Sequence, residues 1–218
     1  MTTHGIPDYG YRNAHETWAH QYLDRPVFGA LVRRVAQGGS VFELGCGNGS
    51  FSAGLAEKGF RVTAVDPSES GIRLARATFP KVSFACASTD DDLASRFGRF
   101  DAVISLEVLG HCYAPRQFEK RIFECLKDDG LAVISTPYHG YWKNLALAVS
   151  GRLERHLNPL WDGGHIKFFS GTSLTELLHE AGFTQVEILR VGRFPPAFAK
   201  SMIAIARRPL NAGRSSTS

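Results

Sequence analysis

Five short apolar runs, each separated from the next by a helical pattern, constrain the fold of this chain more than any other feature. The runs are rich in Val, Ile and Phe, and they are apolar throughout rather than at alternate residues. They are SVFELGC (40–46), RVTAVD (61–66), VSFACA (82–87), FDAVISLE (100–107) and GLAVISTP (130–137). Strands that are apolar on both sides indicate a parallel sheet covered by helices on both faces. The pattern therefore predicts a doubly wound α/β domain.

The regular alternation stops after Pro137, and residues 138–169 contain no clear strand. A helix with Ser or Thr caps is predicted over 170–183, followed by the strands TQVEILRV and AKSMIAIARR. The predicted organisation is a helical cap over 1–37, one domain over 38–208 with a covering insertion over 138–169, and a disordered tail over 209–218.

Composition excludes several classes of protein. A chain of 218 residues fits one sizeable core, and 44% hydrophobic with 21% charged residues is typical of globular proteins. The bases behind the net charge of +4 are scattered, so no nucleic-acid surface is predicted. The four cysteines form no CxxC pair, which predicts free thiols in a reducing compartment. Without an apolar signal region or a segment of about eighteen apolar residues, a cytoplasmic protein is expected.

The first strand leads into a glycine-rich turn, VFELGCGNGSFS, with glycines at 45, 47 and 49. Missing Cβ atoms let a ligand approach the backbone, and the following helix offers unpaired N–H groups. Asp66 ends the second strand, 17 residues after Gly49, where a carboxylate can hold both hydroxyls of a ribose. The sequence therefore predicts a cofactor that contains a ribose.

Glu43 decides between two such cofactors. A dinucleotide calls for GxGxxG, whereas this turn has GxGxG with Glu43 two residues before the first glycine. A carboxylate at that place repels a pyrophosphate but suits a cationic group such as a sulfonium or an ammonium.

The motifs VFELGCGNGSFS, VTAVDPS, FDAVISLEVLGH and LKDDGLAVISTP resemble those of class I S-adenosylmethionine-dependent methyltransferases. The resemblance implies a Rossmann-like sheet of seven strands, mostly parallel with the last strand antiparallel, and S-adenosyl-L-methionine as cofactor. The cofactor contacts that it implies are Glu43, Gly45, Cys46, Gly47, Asn48, Gly49, Asp66, Pro67, Ser68, Ala87, Ser88, Leu106 and Glu107. The chain departs from the family after the third strand, where FACAS lacks the usual acid. Backbone groups there, or Asp90, are expected to hold adenine.

Within the superfamily, SLEVLGH, YWKNLALAVSGRLERHL and DGGHIKFFS are similar to ubiquinone-biosynthesis (UbiG-type) O-methyltransferases. In that family a Glu-x-x-Glu-His pattern is associated with a divalent cation. Glu107 and His111 match it, but Gly110 replaces the middle glutamate, so no metal site is predicted. The family's counterpart of 141–157 is linked to membrane contact.

Transfer of a methyl group to a hydroxyl requires removal of a proton, and histidine is suited to that task near neutral pH. The candidates are His111, then His165, then His139, which follow predicted strands or lie in a glycine-flanked loop. The predicted substrate is a small molecule, with O-methylation of an aromatic or quinol hydroxyl favoured. N- or C-methylation of another metabolite stays open, as do an NAD(P)-dependent oxidoreductase and a non-catalytic cofactor-binding protein.

Two segments are expected to lie over the site. Tyr9, Tyr11, Arg12 and Trp18 form either a lid or a plain N-terminal helix. Residues 141–157 are predicted as an amphipathic helix with a break at Gly151, either touching lipid or closing the pocket. Its apolar stripe is Trp142, Leu145, Val149, Leu153 and Leu157, and the bases off the stripe are Lys143, Arg152 and Arg155. The sequence indicates no oligomeric state.

Overall fold

The computed structural model describes Gly10, Tyr11, Asn13 and residues 19–210. The helices are α1 (His20–Arg34), α2 (Ser50–Glu57), α3 (Glu69–Thr78), α4 (Leu93–Phe97), α5 (Pro115–Glu124), α6 (Tyr141–Val149), α7 (Leu153–Leu157) and α8 (Gly171–Glu180). The strands are β1 (Ser40–Leu44), β2 (Arg61–Asp66), β3 (Ser83–Cys86), β4 (Phe100–Leu106), β5 (Leu126–Pro137), β6 (Thr184–Val191) and β7 (Ser201–Arg207). Short 3₁₀ turns occupy Leu109–His111 and Pro196–Phe198.

The seven strands form one sheet in the order β3-β2-β1-β4-β5-β7-β6. Strands β1 to β5 pair in parallel, and β7 runs antiparallel to both of its neighbours. The predicted α/β class and the antiparallel last strand are confirmed. The strand order reverses between β1 and β4, and open α/β sheets bind ligands at the carboxyl ends of strands at such a point.

Burial on both faces explains why the strands are apolar throughout. Val41 and Ile104 belong to a core cluster that includes residues of α1, α2 and α3. Their neighbours Phe42 and Val103 belong to the other cluster, with residues of α5 and α8. Because successive side chains of a strand point to opposite faces, each run must be apolar at every position to supply both clusters.

Strand β5 begins at Leu126, whereas the apolar run predicted its start at residue 130. Leu126 pairs with Phe100, but Ala102 pairs with Leu131, so β5 takes up extra residues at this irregularity. The extra residues are the polar Lys127–Gly130, and Asp129 has a φ of +58°. A polar bulge inside a strand gives no apolar signal, which is why the prediction began too late.

The insertion contains two helices instead of one. Helix α6 ends at Val149 and α7 begins at Leu153, with Gly151 at a φ of +66° between them. The single helix predicted over 141–157 is therefore wrong, although its break at Gly151 is confirmed. Lys143, which was predicted to lie off the apolar stripe, is buried. Within the described ranges, no helix has the length and apolar character needed to cross a membrane.

Several predictions concern residues that the structure does not describe. Tyr9, Arg12 and Trp18 lie outside the described residues, as does the predicted tail beyond Leu210. The predicted domain boundaries stay predictions.

A buried carboxyl group lies on α5. Glu119 is inaccessible to solvent, and neither of its oxygen atoms has a hydrogen-bond partner among the described residues. Burial raises the pKa of Glu119 to about 8, because the charged form is poorly solvated in the core.

We expect this group to make the protein less stable as the pH rises. The pKa of an unfolded glutamate is about 4.3, whereas the pKa of Glu119 in the folded protein is raised to about 8. Between these values the folded state retains a proton that the unfolded state has released, so stability declines by about 1.4 kcal/mol per pH unit. Glu119→Met should reduce this decline, as measured by denaturant unfolding between the two pH values.

The matched control is Glu57→Met, at an exposed position of α2. The stability of this variant should fall with rising pH as steeply as that of the unmodified protein. Equal declines for the unmodified protein and Glu119→Met would contradict the assignment.

Candidate active site

The glycine turn connects β1 to α2 at the point where the strand order reverses. Gly49 caps α2 with a φ of +79°, and Gly47 has a φ of +53°. A Cβ atom on Gly47 would lie 2.6 Å from the hydroxyl oxygen of Tyr11. The bare backbone at Gly47 therefore allows Tyr11 to lie directly against the turn, as the lid prediction requires of this residue.

Asp66 ties the end of β2 to the glycine turn. Its Oδ2 accepts a hydrogen bond from the Gly47 N–H at 2.8 Å, and its Oδ1 accepts one from the Ser68 N–H at 2.8 Å. An ionised carboxylate has about four lone-pair sites. Asp66 also lines the cavity beside the turn, where a carboxylate can accept hydrogen bonds from hydroxyl groups of a ligand.

Glu43 lies on the other side of the turn and is also buried. The Ser52 hydroxyl donates a hydrogen bond to its Oε2. Burial raises the pKa of Glu43 to about 8, and the neighbouring Asp66 acts in the same direction. A cation placed near Glu43 would favour its charged form.

The first cavity, of about 570 Å³, opens at the carboxyl ends of β1, β2 and β4. Nine of the predicted cofactor residues line it: Glu43, Gly45, Cys46, Gly47, Asn48, Asp66, Pro67, Leu106 and Glu107. The acidic residues in its lining are Glu43, Asp66, Asp90 and Glu107, and no Lys or Arg is among the described residues that line it. This charge distribution suits a cationic ligand.

Four predicted cofactor residues lie elsewhere: Gly49, Ser68, Ala87 and Ser88 are not in the lining. Gly49 and Ser68 cap α2 and α3, with the Ser68 hydroxyl accepting from the Gly71 N–H at 3.1 Å. Ala87 and Ser88 are buried, and the Ser88 hydroxyl accepts from the Asp90 N–H at 3.1 Å. Ala87 and Ser88 do not line this cavity, whereas Thr89 and Asp90, which follow them, do. Their contact with the cofactor stays a prediction.

Sequence reasoning missed one wall of the first cavity. It is formed by Val108, Cys112, Tyr113 and Ala114, which flank the 3₁₀ turn after β4, and by Gln117 of α5. Gln117 donates a hydrogen bond to the Thr89 carbonyl at 3.0 Å, which links the two sides of this wall. Apart from Val108, which lies in SLEVLGH, these residues belong to no motif, so only the folding of the chain could reveal them.

A second cavity, of about 710 Å³, adjoins the first. It is lined from α6, α7, the loop before α8 and the β6–β7 connection, and it contains His139, His165 and Trp161. Glu107 lines both cavities. Tyr138, which precedes His139, instead belongs to the core.

Glu107 lies at the junction of the two cavities because of an unusual backbone conformation. It follows β4 with a φ of +58°, a left-handed value that is costly for residues other than glycine. Its carboxylate accepts hydrogen bonds from the Ser135 hydroxyl at 2.7 Å and the Ser201 hydroxyl at 3.2 Å. Burial raises the pKa of Glu107 to about 7, against the effect of both hydrogen bonds.

The predicted histidines are divided between the cavities. His111 lines the first, and its Nδ1 lies 2.8 Å from the Gly163 carbonyl oxygen. Its ring centroid is 4.2 Å from that of His165, which lines the second. Burial lowers the pKa of both His139 and His165 to about 4. Neither is therefore charged near neutral pH.

Gly110 creates the space that His165 occupies. A Cβ atom on Gly110 would lie 2.7 Å from His165 Cδ2. The Gly110 carbonyl accepts from the backbone N–H groups of Ile166 at 2.8 Å and Lys167 at 3.0 Å. A glutamate side chain at this position would displace His165. Among the described residues, no three His, Cys, Asp or Glu side chains come together as a metal-binding group.

Comparisons with known proteins agree with this geometry. A family model described as a methyltransferase domain matches residues 18–188. The ubiquinone biosynthesis O-methyltransferase of Bradyrhizobium diazoefficiens is 36% identical over 144 residues, which cover 63% of this chain and 55% of that relative. The chain thus spans about half the length of the curated relative.

Two solved structures share the fold. A 1,6-didemethyltoxoflavin-N1-methyltransferase of Burkholderia thailandensis, with 1,6-didemethyltoxoflavin and S-adenosylhomocysteine bound, has a TM-score of 0.62 at 25% identity, covering 85% of this chain and 77% of that one. The magnesium protoporphyrin IX methyltransferase of Synechocystis, with S-adenosylhomocysteine bound, has a TM-score of 0.64 at 22% identity, covering 85% and 81%.

The chain belongs to the methyltransferase domain family, in the class I S-adenosylmethionine-dependent fold. Its similarity to ubiquinone-biosynthesis O-methyltransferases is confirmed, and so is the prediction of S-adenosylmethionine as cofactor. Membership of this family excludes the alternative of an NAD(P)-dependent oxidoreductase.

Asp66 provides a test of the cofactor site. We expect Asp66→Ala to weaken binding of S-adenosylhomocysteine by about 2–4 kcal/mol, because hydroxyl groups lose a charged acceptor. This loss corresponds to a rise in Kd of roughly 30- to 1,000-fold, measured by calorimetry. Asp162→Ala, at an exposed position outside both cavities, is the control. An unchanged Kd in Asp66→Ala would rule out this role.

Proposed function

We propose that the protein transfers the methyl group of S-adenosylmethionine to a hydroxyl group of an aromatic small molecule. The observation that carries the proposal is the position of Glu107. This half-buried carboxylate lines both the cavity of the glycine turn and the adjoining histidine-lined cavity. An acceptor in the second cavity would present its hydroxyl at the boundary that Glu107 occupies. The similarity to ubiquinone biosynthesis O-methyltransferases supports the choice of oxygen as acceptor.

The residues of the first cavity would bind and orient the cofactor. Asp66 would accept hydrogen bonds from the ribose hydroxyls, and Glu43 would favour the cationic methionyl end. When bound, S-adenosylmethionine supplies an activated methyl group on its sulfonium. Holding the acceptor oxygen in line with that group contributes on the order of 7–11 kcal/mol in well-aligned reactions.

The protein must also take the proton of the hydroxyl group. A positioned base contributes roughly 10²- to 10⁴-fold, and it works best when its pKa is near the operating pH. Glu107, with its pKa raised to about 7, meets this condition and faces both cavities. His111 stays a candidate, although its Nδ1 is within hydrogen-bond distance of the Gly163 carbonyl.

The pH dependence of kcat/KM tests the base. Glu107 must be ionised to accept a proton, so kcat/KM should fall as the pH falls through about 7. Glu107→Gln should lower the rate by roughly 10²- to 10⁴-fold and remove this step. Because the pKa values of His139 and His165 are about 4, a rate that depended on either would stay level down to far lower pH.

His111→Gln is the comparison variant for the same profile. If it removes the step and Glu107→Gln does not, His111 is the base. Full rate in both variants would show that the acceptor binds already ionised.

One observation favours methylation of nitrogen as a second candidate. The toxoflavin-type relative is named as an N1-methyltransferase and has the same fold at 25% identity. Matched acceptors decide between the two: catechol and aniline, each with labelled S-adenosylmethionine and product identification by mass spectrometry. Methylated aniline without methylated catechol would overturn O-methylation.

We also propose that the insertion touches a membrane surface. Eight of the twelve exposed large apolar side chains of the described residues lie in 138–169. Two of them, Trp161 and Phe168, line the second cavity, and the other six lie outside it, including Trp142 at 61% and Val149 at 81% exposure. Concentration of apolar surface beside exposed Arg155 and Lys167 suits a bilayer that carries anionic lipids. A cytoplasmic location stays a prediction.

Co-sedimentation with phosphatidylglycerol vesicles tests the membrane contact. We expect binding at low salt that weakens as salt is added, because attraction between exposed charges is screened. The double variant Trp142→Glu with Leu145→Glu should lose binding. Val32→Glu, at an exposed apolar position of α1, should keep it. No binding of the unmodified protein at low salt would leave the insertion as a cover of the pocket.

A further inference from the structure

The two adjoining cavities carry opposite charges. The first is lined by carboxylates and by no Lys or Arg among the described residues. The second is lined by Lys143, Arg152, Arg193 and Lys200, with Glu107 as the one carboxylate among the described residues that line it. A cationic cofactor explains the charge of the first cavity. The charge of the second cavity has no explanation in the transfer of a methyl group to a neutral phenol.

Lys143 is the innermost of these bases. It lies on α6 and is buried, and its Nζ donates to the Tyr138 carbonyl at 2.7 Å and the Lys200 carbonyl at 3.3 Å. An ammonium group has three donors, so these two acceptors leave one for a ligand in the cavity. Burial lowers the pKa of Lys143 to about 8, and nearby Arg193 acts in the same direction. An anion beside Lys143 would offset both effects.

Two arginines at the opening of the cavity are available to the same anion. Arg152 precedes α7, and Arg193 lies in the β6–β7 connection, so they approach from different parts of the chain. Both are exposed, and neither has an ion pair among the described residues. A guanidinium presents paired N–H donors that match a carboxylate or a phosphate.

The remaining walls suit an aromatic ring. Trp161, Phe168 and Phe198 line the cavity together with His165, whose Nε2 is buried without a hydrogen-bond partner among the described residues. A planar acceptor could pack against the rings and offer a polar group to His165, while its charged end lies toward the bases. The lining thus provides separate places for a ring and for an anion.

We propose that the methyl acceptor is an aromatic molecule that carries an anionic group, a carboxylate or a phosphate, bound by Lys143, Arg152 and Arg193. The proposal rests on the proposed function, because it treats the second cavity as the acceptor site. It narrows the substrate class from any phenol to negatively charged phenols, and it gives three bases a role in binding the acceptor that the sequence pattern did not indicate.

Calorimetry on the protein saturated with S-adenosylhomocysteine tests the proposal. The probes are 3,4-dihydroxybenzoate and its methyl ester, which differ in the negative charge of the carboxylate. We expect the acid to bind roughly tenfold more tightly or better, a difference typical of charge-assisted hydrogen bonds. The difference should shrink at high salt, since attraction between charges is screened.

Variants of the two exposed arginines test whether the preference for the acid arises in this cavity. Arg193→Gln and Arg152→Gln should each reduce the preference for the acid by roughly threefold or more. Arg155→Gln, three residues from Arg152 but outside the lining, is the matched control and should retain the preference. If inorganic phosphate competes with the acid for binding, the acceptor is a phosphorylated one. If it does not compete, the anionic group of the acceptor is a carboxylate.

Three outcomes would overturn the proposal. The acid and the ester could bind with equal affinity, neither could bind, or both arginine variants could keep the preference for the acid. Those outcomes leave the proposed function standing if S-adenosylhomocysteine binds and catechol is methylated. Failure to bind S-adenosylhomocysteine would instead remove the proposed function.

Discussion

Burial of the central sheet on both faces is the constraint on which the rest of this structure depends. The parallel strands need helices on either side, so the chain must cross over the sheet after almost every strand. The crossovers reverse direction between β1 and β4, which leaves the carboxyl ends of these strands uncovered. The glycine turn after β1 and Glu107 after β4 both lie at that opening, where functional groups from distant parts of the chain can meet.

Glu107 is the point where the two halves of the site join. It closes the acidic cavity of the glycine turn and is also the carboxylate facing the basic cavity under the insertion. Its left-handed backbone and its hydrogen bonds from Ser135 and Ser201 hold the carboxylate at this boundary. In the proposed reaction, a cationic cofactor and an anionic acceptor would meet at this group. Their opposite charges would then favour joint occupancy of the site.

The insertion after β5 has two sides with different properties. Lys143 points inward and is buried, whereas Trp142, its neighbour in sequence, is exposed. A helix that covers a cavity must present polar groups to the ligand and can leave apolar groups outside. Helix α6 therefore reverses the usual arrangement of an amphipathic surface helix, in which the apolar side faces the protein. The sequence indicated the apolar stripe but left open whether it faces lipid or the pocket. In the structure its residues Trp142, Leu145 and Val149 are exposed.

The antiparallel last strand was implied by the family resemblance, whereas the sequence pattern by itself determined the parallel sheet, the glycine turn and the position of Asp66. These features depend on local rules: apolar runs, helix caps and a fixed distance between Gly49 and Asp66. These rules did not predict the start of β5, because a polar bulge precedes its apolar run. Only the tertiary structure decided that Thr89, Asp90 and Gln117 form a wall together, and that Gly110 makes room for His165. The burial of Lys143 and the shift in the pKa of Glu107 also arise from contacts between residues far apart in the chain, which no pattern in a single stretch of sequence contains.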